Sequence, residues 1–187
     1  MVQAWTPESA VAMGQRIQRL RQERGLSLSE LARSAGIGKA TLSGLEAGTR
    51  NPTLETLYAI TGQLGVPLAS LLTEATGEVR GAAVTARLLE VFEDATATTE
   101  LYWLTIRPGR VQHSPAHPAG VTEQLTVIAG AARVGPRGAE RLVRAGEHIS
   151  WAADVPHTYA AVHDQEVQAS LLIRQPRGAA AGSRTAC

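Results

Sequence analysis

All five histidines of this 187-residue chain (His113, His117, His148, His157 and His163) fall within one stretch of 51 residues, with Glu123 and Tyr159 among them. Imidazole ligates transition metals, moves protons near neutral pH and hydrogen-bonds polar ligands, and a carboxylate placed between imidazoles adds charge to any of these. Such chemistry needs elements that turn separate segments toward one point. The single cysteine, Cys187, occupies the last position, so an internal disulfide or a zinc knuckle is excluded and a reducing compartment is expected.

The histidine-rich stretch lies in one of two compositionally different parts. Residues 1–73 carry seven Arg/Lys against five Asp/Glu, and residues 74–187 eleven against twelve. The overall net charge of +1 excludes a uniformly basic nucleic-acid coat and confines any DNA contact to a local patch. An apolar content of 44% allows a sizeable core, whereas 4% aromatics argues against a sugar-binding or base-stacking surface made of successive rings. The first twenty residues contain Glu8, Arg16 and Arg19, unlike a signal peptide, and no apolar run approaches the roughly 18 residues of a membrane span. A cytoplasmic location is therefore expected. The polar segment TEATGEVRGA lacks periodicity. The expected division is a helical domain at 10–73, a linker at 74–81, an all-β domain at 82–175 and a low-complexity, mobile tail at 176–187.

The helical part reads as about five short helices. Met13, Ile17 and Leu20 recur at helical spacing before Gly25. Ser27-Leu28-Ser29-Glu30 forms a capping box, Gly36 supplies a turn, and a third helix runs from about Lys39 to Ala47. Asn51-Pro52-Thr53 opens a fourth with Leu54, Leu57, Ile60 and Leu64, and Leu68, Leu71 and Leu72 mark a short last one. Two short helices joined by a glycine turn meet the need of a helix-turn-helix, in which one helix braces the DNA backbone and the next enters the major groove.

The residues sharpen that pattern. From Gly14 to Leu57 the chain reads GxRIxxLRxxRGLSLxxLAxxAGIxKxTLSxLExGxRxPTLxTL, which closely resembles the Cro/repressor-type helix-turn-helix family. The resemblance places Ser27 against phosphates and Lys39, Ala40, Thr41 and Gly44 toward base edges, with Ser43 and Arg50 near sugar or phosphate. Lys39 could donate to guanine O6 and N7, and Ala40 could meet a thymine methyl. Arg21 and Glu46 correspond to a structural ion pair. Leu28 stands where the family often has glutamine, and Gly38 replaces the usual Ser/Thr cap.

The second part alternates. Tyr102, Leu104 and Ile106 share one face, as do Glu123, Leu125 and Val127, and turns recur every eight to twelve residues, as in a sandwich or barrel. Gly109, His117, Glu123 and Gly130, then Gly146 and Pro156-His157, resemble the paired motifs of the cupin family. That resemblance implies a small barrel whose motifs can bring histidines and a glutamate to one ion; imidazole and carboxylate suit Zn, Fe, Mn or Ni. The expected ligand set is His117, Glu123 and His157. Pro115 breaks the paired HxH, so His113, of the same strand parity as His117, is a candidate substitute. The damaged motifs favour a metal-free pocket in which His113, His117, Glu123, His157 and Tyr159 hydrogen-bond an organic ligand, with a divalent transition metal as the alternative.

The expected function is a non-enzymatic transcription regulator: a homodimer on double-stranded operator DNA, its cupin-like domain binding a small-molecule effector. The alternatives are a metal-dependent cupin enzyme, an oxygenase or isomerase fused to a DNA-binding domain, and an antitoxin-like interaction module.

Overall fold

The computed structural model describes residues 6–72 and 78–177; linker residues 74–77 and tail residues 178–187, Cys187 among them, lie outside the described residues. Helix α1 (Pro7–Glu23) starts at Thr6, whose hydroxyl accepts the Ser9 N–H at 3.2 Å, and it buries Met13, Ile17 and Arg21. Helix α2 (Leu28–Ser34) opens on the capping box: Ser27 Oγ accepts the Glu30 N–H at 3.2 Å and the Glu30 carboxylate accepts the Ser27 N–H at 2.8 Å. Gly36, at φ +66°, turns the chain into α3 (Lys39–Glu46), whose inward side carries Leu42 and Leu45. Helix α4 (Leu54–Leu64) is capped by Thr53 and ends at Gly65 in the left-handed region.

The expected fifth helix is a single 3-10 turn, Leu68–Ser70. It follows Pro67 too closely to gain α-helical bonds, yet it buries Leu68, and Leu71 and Leu72 beyond it are buried as well. Within the bundle α1 crosses α3 at Gly14, where a Cβ would collide with the Leu45 carbonyl oxygen and lie 2.7 Å from that of Glu46. Beside that crossing the Arg21 guanidinium donates twice to the Glu46 carboxylate, both at 2.7 Å, and once to the Leu26 carbonyl at 2.8 Å.

Ten strands follow: β1 (Glu78–Arg80), β2 (Val84–Glu93), β3 (Ala97–Ile106), β4 (Val111–Ser114), β5 (Thr122–Ala129), β6 (Ala131–Pro136), β7 (Arg141–Arg144), β8 (His148–Ala152), β9 (His157–Ala161) and β10 (Val167–Pro176). They form a six-stranded sheet in the order β1-β2-β3-β10-β5-β8 and a four-stranded sheet in the order β4-β9-β6-β7. Alternation sends Tyr102, Leu104 and Ile106, then Leu125 and Val127, then Ala169, Leu171 and Ile173 into the interior, where they join Val134, Val143 and Tyr159 of the smaller sheet. The result is the cupin-like two-sheet β domain that the motifs imply. The buried apolar residues of bundle and β domain form one continuous cluster.

Two sequence expectations change. Residues 78–80, read as linker, form β1, a strand too short to carry a period, with Val79 its buried residue. Strand β2 escapes an alternation reading because a bulge between Leu88 and Glu90 shifts its register and residues 89–93 are exposed.

Candidate functional site

His117, Glu123, His157 and Tyr159 meet inside the β domain. Glu123 projects from β5, paired across to Trp151 of β8 and Ile173 of β10, and is 1% exposed. His157 opens β9, opposite Ser114 of β4, and Tyr159 follows two residues later. His117 lies in the β4–β5 connection, held by its own amide donating to the Ala153 carbonyl at 2.9 Å. Its Nε2 is 2.8 Å from Glu123 Oε1, and the Tyr159 hydroxyl donates to Glu123 Oε2. The two imidazoles stack with centroids 5.3 Å apart, and Trp151 and Tyr159 wall the His157 side.

His113 does not join them. Strand β4 buries Gln112 and Ser114 and exposes His113. Parity with His117 fails because β4 stops at Ser114 and Pro115 leaves the strand. His148 and His163 are likewise exposed, His163 in the turn after β9 at φ +67°.

Electrostatically the cluster turns on Glu123. Burial alone would raise its carboxyl; the hydrogen bond from His117 and the neighbouring His157 override that and hold it at about 2. Burial would lower the His157 imidazole, and the Glu123 carboxylate pushes it up instead. The His157 Nδ1–H donates to the Val155 carbonyl at 2.9 Å, which turns Nε2 toward Glu123. That buried Nε2 lies 3.3 Å from Glu123 Oε1 without the alignment of a hydrogen bond. Beside the carboxylate, that nitrogen either carries a proton or offers its lone pair to a metal.

The donor set fits a metal. One atom from each of His117, Glu123 and His157 lies within 4.8 Å of the others. Donors around one tetrahedral ion with bonds of ~2.0–2.1 Å stand about 3.3 Å apart, and here Glu123 Oε1 lies 2.8 Å from His117 Nε2 and 3.3 Å from His157 Nε2. The bond from His157 to a backbone carbonyl is the outer-shell contact that fixes the tautomer of a ligating histidine.

On the bundle, Ser27, Lys39, Ala40, Ser43 and Arg50 are exposed and Thr41 and Gly44 half-buried. Lys39, Ala40 and Ser43 stand on the side of α3 away from its buried Leu42 and Leu45. Arg50 lies across Gly44, where a Cβ would be 2.9 Å from Arg50 Cδ, so the missing side chain lets the arginine stem rest on α3. Leu28 packs against the core.

Sequence reasoning missed the residues that join bundle to β domain. Tyr58 of α4 meets His117 edge-on, ring centroids 4.7 Å apart at 82°. Glu55 Oε1 accepts from Gln112 Nε2 at 2.6 Å and from the Ala82 N–H at 3.0 Å. Glu100, buried on β3, accepts the Ala69 N–H beyond α4. One signal was available: Glu55, Tyr58 and Gly62 run along a stripe of α4 that the core spacing of Leu54, Leu57, Ile60 and Leu64 leaves over.

Comparison with known proteins agrees with this architecture. Residues 17–71 match a family model described as "Helix-turn-helix". The chain is 32% identical over 166 residues to the HTH-type transcriptional regulator SutR of Escherichia coli (strain K12), covering 86% of this chain and 93% of that protein. It is 43% identical over 63 residues to the HTH-type transcriptional regulator SinR of Bacillus licheniformis, covering 33% of this chain and 57% of that protein. Among solved structures, an HTH_3 family transcriptional regulator from Vibrio cholerae superposes with a TM-score of 0.77 at 25% identity, covering 91% of this chain and 99% of that one.

Proposed function

The chain belongs to the helix-turn-helix transcriptional regulators, and from that premise we propose that it grips operator DNA through α3 while its β domain senses a ligand at His117, Glu123 and His157. Lys39, Ala40 and Thr41 read base edges, Gly44 faces the same groove beneath the Arg50 stem, and Ser27, Ser43 and Arg50 contact the backbone. Two copies bind together, their α3 helices about 34 Å apart on successive major-groove faces. On this reading the protein works in the cytoplasm, where its operator lies.

The observation that carries the sensing role is the buried His157 Nε2, which makes no aligned hydrogen bond and stands 3.3 Å from the Glu123 carboxylate. A divalent transition metal is the ligand that fits these donors. Such an ion supplies a positive charge against Glu123 and open coordination positions for an oxygen of a small-molecule effector. His117, Glu123 and His157 would hold it, and Tyr159 orients Glu123. Three protein ligands also suit a metal-dependent enzyme, the second reading.

Metal analysis of the purified protein, with DNA binding followed by fluorescence anisotropy, tests the proposal. One equivalent of metal lost in His157→Ala, and operator affinity that falls steeply with salt, support it. Metal-free protein that no added divalent ion alters would overturn the sensing role, and salt-independent binding would overturn the DNA role.

A further inference from the structure

Three features lie outside the function proposed so far: the exposed apolar residues Leu89, Val91 and Phe92 of β2, the basic cleft between β7 and β8, and the seam between α4 and the β domain. Nothing identifies an occupant for the first two. The seam is different, because it abuts the candidate ligand cluster.

We propose that Tyr58 is part of the sensing site, closing it from the DNA-binding side, so that a metal ion reaches His117, Glu123 and His157 only when α4 lifts. The proposal rests on the reading of that cluster as a ligand site. The Tyr58 ring stands edge-on over His117 at 4.7 Å between centroids. The crevice left between them, lined also by Thr61, Gly62 and Glu100, measures about 10 Å³, room for about one water. His117 is therefore covered from that direction by a residue of the bundle.

Lifting α4 moves more than a side chain. Its opposite face (Leu54, Leu57, Ile60 and Leu64) is buried in the bundle, so α4 carries α2 and α3 with it. Glu55 anchors the same helix to Gln112 and Ala82, an approach so close that a Cβ on Gly81 would lie 2.8 Å from Glu55 Oε1. A close-packed seam of this kind has discrete arrangements rather than continuous slack. Occupancy that displaces Tyr58 repositions α3, and in a dimer it changes the separation of the two recognition helices. Tyr58 is thus a positioning residue that couples the two ends of the molecule.

The test uses the full chain with Zn²⁺ as the probe, comparing wild type with Tyr58→Ala and Tyr58→Phe by stopped-flow binding and by operator anisotropy. In wild type the observed association rate levels off as Zn²⁺ rises, because opening limits entry; Tyr58→Phe, which keeps the ring, behaves alike. In Tyr58→Ala the rate rises linearly with Zn²⁺ and exceeds the wild-type plateau. A Zn²⁺-induced change in operator affinity of about fivefold or more in wild type falls below about twofold in Tyr58→Ala. Equal rates and equal DNA responses in proteins that all bind Zn²⁺ would overturn the role of Tyr58 and leave the ligand site standing. A wild type that binds no Zn²⁺ sinks both. Glu55→Ala frees α4 at its other anchor and must speed entry as well, which keeps the test decisive if Tyr58→Ala misfolds.

Discussion

Glu100 carries a pH dependence that the seam imposes. It is 2% exposed, and burial lifts its carboxyl to about 7 although the Ala69 N–H pulls the other way. A carboxyl raised in the folded state favours folding while protonated. Its contribution is fully present below the ordinary value near 4.5 and is lost as pH rises through about 7. The loss amounts to at most about 3 kcal/mol. Glu100→Gln, which stays neutral and still offers an acceptor to Ala69, removes that share of the slope. Denaturant unfolding at about pH 5 and about pH 8 should show a larger fall in stability in wild type than in the variant, which keeps only the slope of groups such as His157; parallel slopes would contradict it. On the DNA face, Lys39→Ala should relax sequence preference at one position at a cost of about 1–3 kcal/mol. Arg50→Ala should weaken all sequences alike and reduce the salt slope by about one. Competition titrations against single-base variants of the operator separate the two effects.

Among the elements, the α1–α3 crossing is the most demanding. Gly14 admits no side chain against the Leu45 and Glu46 carbonyls, and the largely buried Arg21–Glu46 pair locks the same crossing. Gly14→Ala should cost about 1–3 kcal/mol through overpacking. Arg21→Ala should cost about 3–5 kcal/mol, because it strands a buried carboxylate. Urea unfolding reads both, and a change under about 0.5 kcal/mol in either would show that the crossing relaxes more easily than its contacts suggest. These elements were largely legible in the sequence because their signals are local: the Ser27–Glu30 capping box, the Gly36 turn and the spacing of Leu54, Leu57, Ile60 and Leu64 lie within a few residues of one another. Strand β1 and the bulged half of β2 were not legible, since one has no period and the other interrupts its own. His113 misled for a related reason: parity holds only while a strand continues, and β4 ends at Ser114.

For the whole molecule, the resemblance to the cupin motifs implied the meeting of His117, Glu123 and His157, but it did not imply Tyr58 over His117 or Glu55 on Gln112. Those contacts link residues more than fifty positions apart, through a helix whose second stripe of Glu55, Tyr58 and Gly62 does not name its partner. They make the helical bundle one wall of the candidate β-domain site, which is the physical basis of the proposed coupling. The most direct measurement is an operator titration of wild type and His157→Ala, each with saturating Zn²⁺ and with a chelator. The account predicts that Zn²⁺ shifts wild-type affinity by about fivefold or more and leaves His157→Ala unmoved. Identical wild-type isotherms with and without the metal would contradict it.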